Sequence, residues 1–204
     1  MTRELAPCTS SDAALRRLIH EVRACTICAV HLPMPPRPVL QAGSAARILI
    51  AAQAPGRKVA NSGIPFDDAS GDRLRTWLGI DKPTFYAPNF IAILSMGFFY
   101  PGSGPSGDLP PRPECTAAWR ARLLDQLPSI QLTLAIGSHA QAWHLRPRSG
   151  STLTEVVRVW REYGPELLPL PHPSPRNNGC LQRNPWFETD VLPALRARVM
   201  ALRG

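Results

Sequence analysis

The stretch Leu167-Leu168-Pro169-Leu170-Pro171-His172-Pro173-Ser174-Pro175-Arg176-Asn177 joins a short apolar run to a turn stiffened by proline. An apolar run of this length bounded by turn residues reads as a buried strand. Each proline holds φ at about −65° and removes a backbone donor. The turn therefore has few conformations and is expected to present His172, exposed, at a set angle. Such stiffness after a strand suits a catalytic loop. The plain alternative is a surface turn in a chain with 23 prolines.

A second stretch has the same grammar. Arg47-Ile48-Leu49-Ile50-Ala51 is apolar, Ala52-Gln53-Ala54-Pro55-Gly56 breaks it, and Gly63-Ile64-Pro65-Phe66-Asp67-Asp68-Ala69-Ser70-Gly71 follows as a loop and helix start. Between and around these stretches, strands alternate with helices. Asp12 to Arg23 is predicted helical, with Leu15, Leu18, Ile19 and Val22 on one face, and Pro33 to Pro38 is an extended connector with four prolines. Strands are predicted at Ile48 to Ala52, Phe90 to Met96, Leu132 to Ile136 and Leu167 to Leu170. Helices are predicted at Ser70 to Leu78, Glu114 to Leu127, Ser138 to His144 and Trp186 to Arg203, the last kinked at Pro193. Thr152 and Glu155 form a capping box that opens a further helix carrying Leu153, Val156, Val157 and Trp160. Pro101 to Pro113 reads as a Gly/Pro-rich loop.

This order implies a three-layer α/β/α sandwich around a central, mainly parallel four-stranded sheet. Ligands of such sheets bind at the carboxyl ends of the strands, where both loops fall. At 204 residues and 44% hydrophobic, one domain spanning 1–204 is expected, with residues 1–10 a loose end. No run reaches the ~18 apolar residues that span a bilayer, and the start, with Glu4 and Asp12, lacks a signal peptide's apolar region. A cytoplasmic monomer with no membrane partner is the expectation. The net charge is +8, almost all from arginine, since Lys58 and Lys82 are the only lysines. Arginine's planar fork suits phosphate, which makes DNA the expected partner; a GC-rich coding sequence would also raise arginine.

The two motifs, in this order and this far apart, resemble the uracil-DNA glycosylase superfamily, from about Arg23 to the C-terminus. There the first motif has the form G-Q-D-P-Y-H or G-E-A-P-G, and the last H-P-S-P-x. The first half is most similar to the bacterial and archaeal iron-sulfur glycosylases, which also carry G-x-P-F, matched by Gly63, Pro65 and Phe66. The second half is similar to the single-strand-selective uracil glycosylases, which read H-P-S-P-R-N.

The resemblance implies a role for each residue. Cleaving an N-glycosidic bond leaves negative charge on the departing base, and His172, as neutral imidazole, would donate a hydrogen bond to it. The Gln53 backbone N–H would be a second donor. Phe66 stands where the family's ring stacks on a flipped base, unless it is ordinary core packing. Ala54, Pro55, Gly56 and Ser95 would line the base pocket. Ser174, Pro175, Arg176 and Asn177 would contact DNA, Arg176 as the wedge that fills the gap in the duplex or else as one more exposed arginine.

Departures matter as much. Ala54 and Gln53 replace the carboxylates of the two motif forms, so water would fall to Asp67, Asp68 or Asn61, although paired aspartates also start helices. Ser95 stands in place of the asparagine that reads the uracil edge. Cys25-x-x-Cys28 and Cys115 match three ligands of the family's [4Fe-4S] cluster, but sixteen residues before Cys115 stands Phe99. A cluster would need Cys8, Cys180, His31 or a non-protein ligand as the fourth; otherwise the cysteines are remnants packed as small hydrophobes. The chemistry itself needs no cofactor. Without a lysine in either motif no Schiff base forms, so the implied activity is monofunctional hydrolysis at uracil or another deaminated base. A relative that holds a flipped base without excising it is the rival; a nucleotide-handling enzyme lacks its Gly-rich phosphate loop.

Overall fold

A computed structural model describes residues 10–105, 107–146 and 150–203. Helix α1 (Ser10–Arg23) leads through a 3₁₀ turn (Ala29–His31) and the proline connector to β1 (Ile48–Ala51). Helices α2 (Arg57–Ser62), α3 (Ala69–Leu78) and α4 (Lys82–Phe85) precede β2 (Ile91–Ile93), which is followed by a small ribbon, β3 (Ser103–Gly104) and β4 (Gly107–Asp108). Then come α5 (Pro113–Cys115), a π turn (Thr116–Arg120), α6 (Ala121–Leu124), β5 (Leu132–Ile136), α7 (Ser138–His144) and α8 (Leu153–Arg158). Strand β6 (Leu167–Leu170), α9 (Asn178–Gln182) and α10 (Leu192–Arg203) complete the order.

The main sheet runs β2-β1-β5-β6, all parallel, with Ile48 level with both Ile91 and Leu132, and Ile136 level with Leu170. Its strands are buried on both faces, as a parallel sheet covered by helices requires. Alternate residues divide between two cores. Ile48, Ile50, Leu134 and Leu168 meet Leu74, Leu78, Leu195 and Val199 of α3 and α10; Leu49, Ala92 and Leu94 meet Leu15, Leu18, Val22 and Leu123 of the opposite layer. The molecule is thus the expected three-layer α/β/α sandwich. Both edges are managed. Gln41 of the connector pairs antiparallel with Ile93 through both backbone bonds, covering β2, and Pro169, which lacks an N–H, sits on the edge strand β6.

Several elements differ from the sequence expectation. Strand β2 is three residues long: Leu94 still donates to the Ile50 carbonyl of β1, but Met96 and Gly97 donate to Ala52 and Gln53 in the loop that follows β1. The helix expected over 114–127 is interrupted by the π turn at Thr116–Arg120. That extra residue per turn brings two side chains to the β2 loop: Thr116 donates to the Met96 carbonyl at 2.7 Å and Arg120 to the Leu94 carbonyl at 3.0 Å. The helix expected over 186–203 opens with a π turn (Phe187–Val191) that passes directly into α10, and Pro193 lies just beyond that turn. Trp160 belongs to a 3₁₀ turn (Trp160–Tyr163) after α8, yet is buried as expected. Of the expected loose end, all but Ser10, which is helical, lies outside the described residues. No helix among the described residues is long and apolar enough to cross a membrane.

Candidate active site

The strand ends meet at one sheet edge, and backbone bonds join the loops that leave them. Met96 and Gly97 donate to the carbonyls of Ala52 and Gln53 at 2.7 and 3.0 Å, while Gly137 donates to Leu170 at 3.0 Å. A cleft of about 510 Å³ opens there. Gln53, Ala54, Pro55 and Gly56 line one part of it, Phe66 and Asp68 another, and His172, Ser174, Pro175, Arg176 and Asn177 a third. Ser95 lies in its wall. Residues from both motifs, far apart in sequence, therefore share one cavity of a size that suits a small ligand.

His172 is half-buried, not exposed as its proline-rich surroundings predict, because the loop folds back on the sheet edge. Its surroundings fix its tautomer. The Ser174 N–H donates to Nδ1 at 3.2 Å, so the proton of the neutral ring belongs on Nε2. Burial holds the imidazole below its ordinary pKa, overcoming the opposite pull of Asp68 and Asp108. The loop is held on both sides: Asn177 donates its side-chain amide to the His172 carbonyl at 2.7 Å, and Arg73 of α3 donates to the Ser174 carbonyl at 3.2 Å and to Asn178 at 2.7 Å. The result is a neutral, oriented donor. Across the cleft the Gln53 N–H has no hydrogen-bond partner among the described residues and is a second available donor.

Phe66 belongs to the core and also borders the cleft. It is 8% exposed and packs edge-on against Phe85 at 6.2 Å, yet its residue lines the cleft. Its backbone is strained, with φ at 54°, a region few bulky residues occupy. Tyr86, just after α4, donates to the Pro65 carbonyl at 2.9 Å, and α3 starts so close beneath that a Cβ on Gly71 would stand 1.8 Å from the Phe66 carbonyl oxygen. Asp68 caps α3, accepting from the Gly71 N–H at 3.0 Å, while bordering the cleft.

Two expected site residues are elsewhere. Asp67 does not line the cleft; its carboxylate pairs with Lys82 at 3.7 Å, because α4, which carries no strong sequence signal, brings that lysine beside it. Asn61 lies at the end of α2 on a different cavity with Met34 and Tyr100, and its carbonyl accepts from Arg37 at 2.6 Å. Conversely, Asp108, Arg57 and Lys58 line the cleft and were not among the expected residues. Arg57 and Lys58 follow the first motif directly, so the helix after it was the missed signal. Asp108 arrives on the ribbon hidden in the Gly/Pro-rich loop, and no local pattern announces it. Arg176 is exposed at the rim, its guanidinium against Gly107 of the ribbon.

Cys25, Cys28 and Cys115 are buried close enough to interact electrostatically, with the Trp119 indole N–H on Cys25 at 3.2 Å and the Phe98 N–H on Cys115 at 3.3 Å. Burial pushes the Cys115 thiol up to about 12 and raises Cys28 as well. Phe99 packs into the same apolar cluster. Cys180 lies on α9 beside Thr154 and Asn184, His31 is exposed, and Cys8 lies outside the described residues. Among the described residues no three histidine, cysteine or carboxylate side chains converge on a metal position. A four-thiolate cluster does not fit this set, because among the described residues no further cysteine joins the three.

Fold and cleft together define an α/β protein with a cavity at the carboxyl ends of its parallel strands, lined by Gln53, Phe66 and His172. The model of the uracil DNA glycosylase superfamily matches residues 40–196, and the chain belongs to that superfamily. The match takes in both motifs and begins after Cys25 and Cys28.

Two predictions arise from this chemistry. His139, His144 and His172 all have lowered pKa values, His144 to about 3 through burial and the neighbouring Arg120 cation. The unfolded chain therefore binds more protons than the folded one below about pH 6.5. Stability from these groups is complete above that pH and declines as pH falls toward 3; urea midpoints between pH 8 and 5 should drop, and His144→Gln should flatten the decline. For the cysteines, protein purified without oxygen should lack a full-occupancy [4Fe-4S] cluster. Iron analysis giving about four irons per chain with broad absorbance near 400 nm would refute this.

Proposed function

We propose that the protein is a monofunctional DNA glycosylase that hydrolyses the N-glycosidic bond of uracil or another deaminated base, as a step of base excision repair. In this reading it acts as a single-domain cytoplasmic monomer on DNA, flips the target nucleotide out, and needs no cofactor for the chemistry. The observation that carries the reading is the neutral His172, whose Nδ1 accepts from Ser174 and whose Nε2 is left as donor.

The C1′–N bond breaks with its electron pair leaving on the base. His172 and the Gln53 N–H hold the resulting anion, and one preorganised donor of this kind contributes on the order of 10²- to 10³-fold in rate. Phe66 stacks on the flipped base, and Ala54, Pro55, Gly56 and Ser95 shape the pocket around it. Stacking stabilises the base by roughly 1 to 3 kcal/mol. Ser174, Pro175, Arg176 and Asn177 meet the DNA, aided by the chain's +8 charge. The second reading, a relative that binds a flipped base without cutting, is favoured by Gln53 and Ala54, neither of which is a carboxylate, and by the short side chain of Ser95.

A gel assay separates the two: single- and double-stranded oligonucleotides bearing uracil, hypoxanthine or xanthine are incubated with protein and cleaved with alkali. Excision of at least one base is expected, with His172→Ala slower by about 10²-fold or more in single turnover and binding little changed. Binding without excision of any base establishes the second reading. Arg176→Ala should impair duplex substrate more than single-stranded substrate, whose base leaves no stack. Equal loss on both would remove Arg176 as the wedge.

A further inference from the structure

We infer that Asp108, brought to the cleft by the β3–β4 ribbon, is the carboxylate that activates water for attack on the sugar. The inference rests on the glycosylase reading above and assigns its water-side chemistry to a residue outside both motifs. Hydrolysis needs a group that takes a proton from the attacking water, and neither Gln53 nor Ala54 can do so.

Two carboxylates line the cleft, Asp68 and Asp108, and both act electrostatically on His172. Asp68 is already engaged. Its Oδ1 accepts the Gly71 N–H as the cap of the ten-residue α3, so that oxygen is taken up by the helix start. Asp67 is turned to Lys82. Asp108 has neither restraint. Its Oδ2 lies 3.5 Å from the point where a Cβ on Gly56 would stand, so the carboxylate overhangs the bare backbone of the first motif. Its Oδ1 is 3.5 Å from the Ser103 hydroxyl, which in turn hydrogen-bonds the Tyr100 hydroxyl at 2.7 Å. The ribbon is tied at its base, where Leu109 donates to the Gly102 carbonyl at 2.8 Å, and Arg176 of the histidine loop rests on Gly107 beside it. One carboxylate is therefore aimed over the first motif from outside it, on a scaffold in contact with the second.

In the step this allows, the water oxygen bonds to C1′ as the C1′–N bond breaks, and the water proton passes to Asp108. The departing base keeps the electron pair of the broken bond, and the proton on Asp108 then returns to base or solvent. The products are free base and an abasic sugar.

The test is single-turnover excision of whichever of uracil, hypoxanthine and xanthine the wild type removes, with Asp108→Asn and Asp108→Ala. Anisotropy binding to a single strand carrying 2′-fluoro-deoxyuridine and thermal melting by circular dichroism run alongside. The Asn variant should be slower by about 10²-fold or more with little change in affinity or melting temperature. Sodium formate should restore part of the Ala variant's rate, since a small carboxylate can enter the space vacated. An Asn variant at wild-type rate, or an Ala variant that is slow and gains nothing from formate, overturns the assignment while the glycosylase reading stands. A wild type inert on all three bases overturns both.

Discussion

Because all four strands of the main sheet run in one direction, every loop that follows a strand emerges at the same edge. The candidate site is a consequence of that single constraint. Only β5 separates β1 from β6, so the two motif loops start about 10 Å apart, two strand spacings. The loops after β1 and β2 are then fastened to each other by the Met96 and Gly97 bonds, and the loop after β5 to β6 by Gly137. Parallel topology alone would bring the loops near one another; these bonds convert nearness into a fixed wall.

Burial, more than charge pairing, sets the electrostatics behind that wall. Arg120 is 2% exposed, donates to the Leu94 carbonyl, stacks on Trp143 at 5.0 Å and meets Nε2 of His144, with its Nε left unpartnered. Desolvation lowers it to about 10, still charged at neutral pH, and His144 beside it must stay neutral to accept. The cation is thus held by carbonyl dipoles and a ring face, and through them it pins the segment that carries Ser95. His172 obeys the same physics with opposite neighbours. Two aspartates favour its protonation, and burial still prevails. The uncharged ring and its single tautomer both come from where the loop is folded.

Much of this was legible in the residues and some was not, for physical reasons. Strand positions were readable because doubly buried parallel strands are continuous apolar runs, and the motif loops because proline and glycine mark where such runs end. Strand β2 is shorter than its apolar run suggests, because past Leu94, which still bonds Ile50 of β1, Met96 serves the neighbouring loop. The exposure of His172 was misjudged because loop composition says nothing of what the loop folds against. Asp67 and Asn61 stand near a motif in sequence, but Lys82 pairs with the Asp67 carboxylate and the end of α2 carries Asn61 to a different cavity. Asp108 was invisible for the converse reason, since its two-residue strand has no periodicity to detect.

The strained backbone at Phe66 indicates where this fold gives up stability for its cleft. A bulky residue at φ 54° costs of order 1 to 3 kcal/mol and persists only where its surroundings over-determine it. Those surroundings are present: the Tyr86 hydroxyl on the Pro65 carbonyl, the edge-on contact with Phe85, and a helix start with no Cβ at Gly71. An edge-on aromatic pair returns roughly 0.5 to 1.5 kcal/mol and a buried hydrogen bond about 1 kcal/mol, enough to offset the strain. The strained residue is thus one that packs in the core and borders the cleft at once, and the contacts that hold it come from α3, Phe85 and Tyr86.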